Sequence, residues 1–399
     1  MSPGTASVAT MLQTVAIRGY RSLRELVVPL RRLTVVTGAN GTGKSSLYRA
    51  LRLLADCGRG EVIGSFAREG GVASALWAGP EHLGGARRTG TAEGGPRTRS
   101  VSIELGYASD DFGYLVDLGL PQAKETAFGR DPEVKREVIF SGPAVRRATT
   151  LVRRTRGYVE VAADAGHGFD ELVRDLPAHR SVLSDWAGAA PELVMVRERL
   201  RDWRFYDGFR ADTQAPSRRP QVGTRTPVLA DDGADLAAAV QTIIETGTDD
   251  LARAVADAFD GATVSVAVND GLFDLQLHQR GMLRSLRSAE ISDGTLRFLL
   301  WAAALLSPQP PSLMVLNEPE TSLHPELVRP LAALIASAAT RTQLIVVTHS
   351  PTLRECLGAA PLGSEDSDAW ELELYKDWGE TRIAEQGLLT TPPWDWGTR

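Results

Sequence analysis

The sequence is poor in the features that mark secreted, membrane-spanning and strongly basic proteins. Its 399 residues include two cysteines, Cys57 and Cys356, whose separation fits no metal-binding spacing and whose scarcity is typical of a reducing cytosol. The longest apolar run, from Phe298 to Leu306, is far too short to cross a bilayer, and the N-terminus lacks the pattern of a signal peptide. The formal charge of −6 provides no global basic field, so any contact with nucleic acid must come from a local patch. We therefore expect a soluble, cytoplasmic protein with no membrane partner.

Internal repeats, low-complexity tracts and sustained heptads are also missing, so the pattern favours a globular chain without long coiled coils. With 43% hydrophobic residues, the chain is long enough to form two or three domains. We divide it into a first part over residues 1–124, an insert of short strands and helices over residues 125–230, and a last part over residues 231–399. The insert ends in a proline-containing stretch, residues 211–227, that is typical of a linker.

Local patterns predict several elements within these parts. Alternating residues at 101–105 and 114–118, separated by a polar turn, predict a hairpin. The periodicity between Glu192 and Arg204 predicts a helix. Aromatic residues that follow, from Trp203 to Phe209, are expected in a core rather than on a stacking surface. The aromatic tail, residues 392–396, is expected to pack back on the fold or to dock a partner.

The strongest local signal is the stretch from Gly38 to Ser45, which fits the phosphate-binding pattern GxxxxGKS. An apolar run precedes it, and an amphipathic helix follows it, because apolar residues between Leu47 and Leu54 recur on one helical face. The glycines let backbone N–H groups close around phosphates, Lys44 adds a full positive charge, and Ser45 is placed to bind Mg²⁺. The chain is therefore predicted to bind ATP with Mg²⁺, through Gly38, Asn40, Gly41, Gly43, Lys44, Ser45 and Ser46.

Three further segments carry polar side chains at the ends of apolar elements. One apolar strand runs into Asn317 and Glu318, where P-loop folds place their metal-binding and water-orienting groups. Another strand ends near His349, a residue type that alone is more often a satisfied core side chain. Earlier in the chain, Ser292 and Gly294 open an apolar helix whose N-terminus either binds an anion or is an ordinary cap. Each of these segments alone is a weak signal. Their occurrence in this order in one chain is a stronger indication of function.

Together with the P-loop, these segments resemble the core of ABC-type ATPases, and their variants resemble the SMC/RecF-like branch. Three stretches are similar to bacterial "predicted ATPase" AAA proteins related to the overcoming-lysogenization-defect ATPases: residues 318–320 (EPE), 322–325 (SLHP) and 19–23 (GYRSL). The resemblance covers roughly residues 12–122 and 230–390. It implies an α/β fold, an ABC-type P-loop ATPase head with a mixed antiparallel lobe, a parallel-sheet Walker lobe and a small α+β insert.

The same resemblance implies a homodimer in which each copy caps the ATP held by the other. By position, Ser292 and Gly294 then touch the γ-phosphate of the nucleotide held by the second copy. Glu318 orients or activates the attacking water, and His349 contacts the γ-phosphate. Asn317 stands at the usual Walker B aspartate position, where its amide can still order the Mg²⁺ water shell. Because this substitution removes one negative charge, we expect slow hydrolysis.

The identity of the macromolecular partner stays open in the sequence. A cluster of arginines in the insert either grips duplex DNA through its phosphates or protects a solvated strand edge from aggregation; it consists of Arg146, Arg147, Arg153, Arg154 and Arg156. Gln122 is either the glutamine that reads Mg²⁺ in related ATPases or a surface residue.

Three functions are compatible with these features. The first is an ATP-dependent dimerising ATPase in DNA repair or in defence against phage and other foreign DNA. The second is a slowly hydrolysing, nucleotide-gated scaffold that controls a partner nuclease or toxin, since no cutting module is recognisable in the chain. The third, the ATPase of a transporter, is disfavoured by the Glu-Pro-Glu variant and by the length.

Overall fold

The computed structural model describes residues 11–84, 90–91, 101–121, 127–129, 131–163, 168–364 and 367–397. Its strands are β1 (Leu12–Tyr20), β2 (Leu23–Pro29), β3 (Leu33–Thr37), β4 (Ser102–Ser109), β5 (Phe112–Gly119), β6 (Glu133–Ser141), β7 (Thr150–Thr155), β8 (Tyr158–Ala162), β9 (Phe169–Val173), β10 (Arg204–Asp207), β11 (Gln221–Val222), β12 (Thr263–Asn269), β13 (Leu272–His278), β14 (Leu286–Arg287), β15 (Leu313–Asn317), β16 (Gln343–Val347), β17 (Ala360–Pro361), β18 (Ala369–Asp377) and β19 (Glu380–Ile383). Its α-helices are α1 (Lys44–Arg59), α2 (Val62–Arg68), α3 (Val72–Ala75), α4 (Val182–Asp185), α5 (Pro191–Asp202), α6 (Leu236–Ile244), α7 (Asp250–Ala258), α8 (Asp293–Leu305), α9 (Pro325–Ala339) and α10 (Pro351–Leu357).

One layer of the fold is an eight-stranded antiparallel sheet in the order β2-β1-β4-β5-β6-β7-β8-β9. The predicted hairpin over residues 101–105 and 114–118 is confirmed, since β4 and β5 pair antiparallel with Ile103 opposite Leu118. Residues 133–173, which belong to the expected insert, extend this sheet by strands β6 to β9. The antiparallel pairing of β6 with β5, the strand before it in the chain, therefore joins this segment to the first part of the chain.

The second layer is a parallel sheet in the order β10-β15-β16-β3-β18-β17, with β19 antiparallel on β18. The carboxyl ends of parallel strands meet at one edge of a sheet, which is where α/β folds bind their ligands. At this edge β3 leads into the P-loop, β15 ends at Asn317, and β16 ends just before Thr348 and His349. The sheet thus brings together three segments that are far apart in the sequence.

Both faces of the parallel sheet are covered, which explains why its strands are apolar throughout. On one face, Leu313 and Val315 pack into a core shared with α1, α5 and the antiparallel sheet. On the other face, Met314 and Leu316 pack into a second core with helices α6 to α10. Trp203 is fully buried in the first of these cores, which confirms the predicted core position of the aromatic cluster.

Two smaller features complete the architecture. Strands β11, β13, β12 and β14 form a separate small sheet, whose inner residues pack with α6 and α7 in the second core. The aromatic tail packs back on the antiparallel sheet, where Trp396 is buried against Ala16, Leu115 and Phe140. Within the part of the chain that the structure describes, none of the helices is long and apolar enough to span a membrane.

Candidate functional site

The loop between β3 and α1 has the backbone of a phosphate-binding turn. Gly38, Gly41 and Gly43 adopt φ angles of 131°, 78° and 111°, a region that residues with a side chain rarely occupy. A Cβ atom at Gly38 would lie 2.2 Å from the carbonyl oxygen of Leu374, and one at Gly43 would lie 2.2 Å from Oγ1 of Thr381. Strands β18 and β19 therefore hold the loop so closely that only glycine fits at Gly38 and Gly43.

Lys44 begins α1 and lies inside this loop. The residue is 4% exposed, and its Nζ atom donates hydrogen bonds to the carbonyl oxygens of Gly38 at 2.6 Å and Ala39 at 2.8 Å. Burial lowers the pKa of the ammonium group, while the nearby negative charge of Glu318 opposes that shift. The first N–H groups of α1 have no partner within the helix and carry its positive dipole end. An anion in the loop therefore meets a full charge and a helix N-terminus together.

The remaining predicted P-loop positions lie near the surface. Asn40 and Gly41 at the tip are exposed, Ser45 is exposed in the first turn of α1, and Ser46 is half-buried. Among the described residues, no group of three or more His, Cys, Asp or Glu side chains is arranged to hold a metal ion. Mg²⁺ does not need such a cage, because it keeps several waters and binds through one or two protein oxygens and substrate phosphates. The hydroxyl of Ser45 fits that donor set.

Glu318 and His349 meet at the carboxyl ends of β15 and β16. Oε1 of Glu318 lies 2.9 Å from Nε2 of His349, and the side chains are 37% and 36% exposed. Glu318 has a φ of 49°, a conformation that costs a non-glycine residue free energy and is often retained at functional sites. Its backbone N–H donates to the carbonyl oxygen of Val347 at 2.8 Å, which fixes this turn to β16. The two side chains predicted from the sequence are therefore in contact, and Glu318 lies within electrostatic range of Lys44.

Glu320, whose role the sequence pattern does not indicate, anchors the loop that carries His349. Its Oε1 atom accepts hydrogen bonds from Oγ1 of Thr348 at 2.5 Å and from the backbone N–H groups of His349 and Ser350 at 3.1 and 3.2 Å. Three donors on one carboxylate oxygen fix the start of the segment after β16. The second acid of the Glu-Pro-Glu segment thus positions the histidine, and its signal in the sequence was its place two residues after Glu318.

Asn317 has a carboxylate beside it that sequence reasoning missed. In the parallel pairing of β10 with β15, Asp207 lies opposite Asn317. The amide Nδ2 of Asn317 donates a hydrogen bond to Oδ1 of Asp207 at 2.7 Å. The helix expected to reach Arg204 ends at Asp202, and the next residues form the short strand β10. A four-residue strand directly after a helix leaves almost no periodicity in the sequence, so the neighbour of Asn317 was not predictable from pattern.

The helix start at Ser292 is capped and held from within the chain. Oγ of Ser292 accepts a hydrogen bond from the backbone N–H of Thr295 at 3.2 Å, as in an ordinary N-cap. Arg218, which the sequence places in a linker, is buried, and its guanidinium group holds the segment before the helix. It donates to Oδ1 of Asp293 at 2.5 Å and to the carbonyl oxygens of Ala211, Ser288, Ala289 and Ile291.

The start of α8 and the P-loop are not joined within one chain. Among the described residues, no hydrogen bond or ion pair connects residues 292–294 with residues 38–46. A Cβ atom at Gly294 would have the carbonyl oxygen of Ser322 as its nearest neighbour, at 3.9 Å. The surface at Gly294 is therefore open, and a second molecule can approach it.

Arg154 does not belong to the surface patch in which the sequence places it. Its side chain is 0% exposed, and Nη1 lies 2.7 Å from Oε2 of Glu137, which is 1% exposed. The guanidinium group also donates to the carbonyl oxygens of Arg156 and Pro177. The expectation that Arg154 contacts DNA is wrong, because a fully buried side chain that holds neighbouring backbone is not available to a phosphate.

The other arginines of that cluster remain at the surface. Arg146, Arg147 and Arg156 are exposed, and Arg153 is half-exposed with its guanidinium paired to Glu160 at 2.6 Å. Arg146, Arg147 and Arg153 line a surface cavity of about 730 Å³ at β6 and β7 of the antiparallel sheet. Gln122, the other residue whose role the sequence left open, lies outside the described residues.

Comparisons with known proteins agree with this geometry. A family model described as "AAA domain, putative AbiEii toxin, Type IV TA system" matches residues 33–355. The chain is similar to the solved SmcHead bound to the C-winged helix domain of ScpA, at 12% identity and a TM-score of 0.52, over 95% of this chain and 98% of that one. It is also similar to the Smc head domain with an extended coiled coil bound to the C-terminal domain of ScpA derived from Pyrococcus furiosus, at 12% identity and a TM-score of 0.51, over 94% and 96%.

By sequence, no curated protein matches the chain. At 12% identity the two structural likenesses show the fold alone. They confirm the predicted α/β class, in which a mixed antiparallel layer and a parallel P-loop sheet form one head.

Proposed function

The chain belongs to the AAA-domain family whose description names the AbiEii toxin and type IV toxin–antitoxin systems, and from this premise we propose an ATPase that dimerises around Mg²⁺-ATP. The observation that carries the proposal is the convergence of Lys44, Glu318 and His349 at one edge of the parallel sheet. Lys44 and the P-loop backbone bind the phosphates, and Ser45 binds the metal with support from Asn317. The metal, when bound, neutralises phosphate charge and orients the terminal phosphate for attack.

Water activation falls to Glu318 in this proposal. Its carboxylate accepts a proton or a hydrogen bond from the attacking water, and His349 holds the γ-phosphate and the carboxylate in one geometry. Glu320 keeps His349 in place through the three hydrogen bonds described above. The amide at Asn317 leaves the end of β15 without the charge that an aspartate would supply there, so slow turnover is part of the proposal.

The open surface at the start of α8 supports the proposed dimerisation. Ser292 and Gly294 have no bond to their own P-loop among the described residues, so we assign them to the nucleotide held by a second copy. A two-fold dimer then contains two composite sites, each made of one P-loop and one α8 start. Nucleotide binding closes such a dimer, and hydrolysis releases it.

Complementation between two defective variants tests this arrangement. Lys44→Ala removes the positive charge that faces the phosphates, and Gly294→Gln adds a side chain at the proposed interface, where a Cβ atom has its nearest neighbour 3.9 Å away in the monomer. Each variant alone builds no complete site, but a mixed dimer builds one from the intact halves. We expect equimolar mixing to restore roughly a quarter of the wild-type ATPase rate, since half of the dimers are mixed and each has one of two sites. A mixture as inactive as its components contradicts the composite site.

Trapping the closed dimer is an independent test. Glu318→Gln keeps the shape of the side chain and leaves the phosphate contacts intact, but weakens water activation, which commonly contributes about 10²–10⁴-fold in rate. We expect this variant to be a stable dimer with ATP and a monomer without it, as measured by multi-angle light scattering. A monomer under both conditions counts against the sandwich.

For the biological role we propose DNA repair or defence against foreign DNA in the cytoplasm, with duplex DNA bound through phosphates. The supporting feature is the exposed group Arg146, Arg147 and Arg156 with the half-exposed Arg153. Dimerisation would present two such groups to one duplex and make the second contact intramolecular. ATPase rates measured with and without a duplex test this role, and stimulation by DNA is the expected result.

A second candidate is a nucleotide-gated scaffold that holds a separate nuclease or toxin inactive. The observation that favours it is the family description itself, which names a toxin and a toxin–antitoxin system. A scaffold needs long-lived nucleotide states, and the amide at Asn317 suits slow turnover. Turnover unaffected by duplex DNA, combined with ATP-dependent co-purification of the product of a neighbouring gene, supports this role over the first.

A further inference from the structure

The amide of Asn317 and the carboxylate of Asp207 form one unit at the edge of the parallel sheet. They end adjacent parallel strands in direct register, so their Cα atoms are partners in the ladder. The Asn317 Nδ2–Asp207 Oδ1 hydrogen bond of 2.7 Å joins the two side chains. Because the amide donates through its nitrogen, its own carbonyl oxygen and the second oxygen of Asp207 are left as further acceptors.

Asp207 also lies close to the helix that carries the metal-binding hydroxyl. Burial, reinforced by the negative charge of Asp207, raises the pKa of Tyr48 on α1. Tyr48 and Asp207 line the same cleft, of about 550 Å³, together with the arginines Arg21, Arg49, Arg52 and Arg68 and the acids Asp56 and Glu69. On a helix, residues three or four positions apart share a face, so Ser45 lies on the face of α1 that carries Tyr48 and Arg49. The carboxylate and the serine hydroxyl therefore belong to the same side of the P-loop helix.

The charge balance of the site follows from this placement. With an amide at Asn317, the end of β15 contributes no negative charge, although a divalent cation prefers carboxylate oxygen as a ligand. Asp207 is exposed and is held only by the Asn317 amide among the contacts described. An aspartate at position 317 would instead place two carboxylates in hydrogen-bond contact, which favours protonation of one of them.

We infer that Asp207 supplies the carboxylate of the magnesium site, directly or through a metal-bound water, and that Asn317 orients it. The negative charge is thus moved one strand sideways rather than lost. This inference rests on the proposed binding of Mg²⁺-ATP at the P-loop.

The test is the Mg²⁺ requirement of nucleotide binding, which needs no turnover. A fluorescent, non-hydrolysable ATP analogue is titrated with Mg²⁺ in the full chain, with excess EDTA as the metal-free reference. For Asp207→Asn we expect the Mg²⁺ concentration at half-saturation to rise about 10–100-fold, the usual cost of altering a metal site's supporting ligand. Binding of the analogue in EDTA should stay at the wild-type level, which shows that the P-loop itself is folded.

Two further variants make the result specific. Asp212→Asn removes another exposed carboxylate from the segment that follows β10, where Asp212 pairs with Arg210, and should leave the Mg²⁺ requirement unchanged. The exchange Asp207→Asn with Asn317→Asp keeps one amide and one carboxylate across the same hydrogen bond, and should recover most of the lost Mg²⁺ affinity.

The outcomes separate this inference from the proposed function. If wild-type protein binds the analogue in a Mg²⁺-dependent manner and Asp207→Asn has the same Mg²⁺ requirement, Asp207 is only the hydrogen-bond partner of Asn317 and the inference is overturned. An equal shift in Asp212→Asn overturns it as well, because the effect is then one of general charge. If the wild-type protein binds no nucleotide at any Mg²⁺ concentration, the proposed function fails and the inference fails with it.

Discussion

Replacing Arg154 by alanine should destabilise the fold far more than replacing any other arginine of its cluster. The side chain is fully buried and pairs with Glu137, which is also buried. Glu137 accepts three further hydrogen bonds, from the hydroxyl groups of Tyr114 and Ser181 and from the backbone N–H of Val182. The pair therefore joins β6 and β7 to the start of α4, and Arg154→Ala leaves the carboxylate buried without its counter-charge.

The magnitude follows from the burial of both partners. Removing one member of a buried ion pair typically costs about 3–5 kcal/mol, because the remaining charge stays desolvated. Arg153→Ala breaks a half-exposed pair with Glu160, which should cost no more than about 1 kcal/mol. Arg146→Ala alters an exposed side chain and should change the free energy of unfolding by less than about 0.5 kcal/mol. These three arginines lie close together in sequence, so composition alone predicts equal effects.

Urea unfolding followed by tryptophan fluorescence measures these differences, with the slope of each transition as a check on the extent of unfolding. A double variant, Arg154→Met with Glu137→Gln, serves as the matched control. It removes both charges, leaves no buried ion, and should recover most of the stability lost in Arg154→Ala. If Arg154→Ala lowers the free energy of unfolding by less than about 1 kcal/mol, the buried ion pair is refuted. Arg154 would then behave as a surface residue.

Three other expectations concern function. Lys44→Ala should abolish tight ATP binding, because the lysine supplies the full charge in the loop; wild-type affinity in calorimetry would falsify the P-loop assignment. Arg218→Ala should keep nucleotide binding but lower the ATP-dependent dimer fraction in light scattering, since it frees the start of α8; the exposed Arg219→Ala is its control, and equal dimer fractions in both variants contradict the positioning role. If Arg146 and Arg147 contact DNA phosphates, replacing both should flatten the log–log salt dependence of binding by about 1.8, or roughly 0.9 per contact; fluorescence anisotropy at several salt concentrations measures the slope, and an unchanged slope assigns these arginines to a solvated edge.

The sequence alone predicted those features of the site that lie within one continuous stretch of the chain. Gly38 to Ser45 form one continuous loop between an apolar strand and an amphipathic helix, so the pattern of that stretch was enough to predict its glycine-rich turn. Glu318 and His349 were predictable for a related reason. Each follows an apolar strand, and parallel strands bring their carboxyl ends to the same edge whatever their order.

Only the tertiary structure decided which side chains lie next to these residues. Asp207 and Asn317 are 110 positions apart, and they meet because β10 pairs with β15 in direct register. Arg154 and Arg218 read as exposed charges in the sequence, yet each is buried with fixed acceptors. Whether an arginine faces solvent or holds a carboxylate depends on the strand or loop that folds over it. That strand or loop comes from another part of the chain, so the local sequence pattern around the arginine does not predict it.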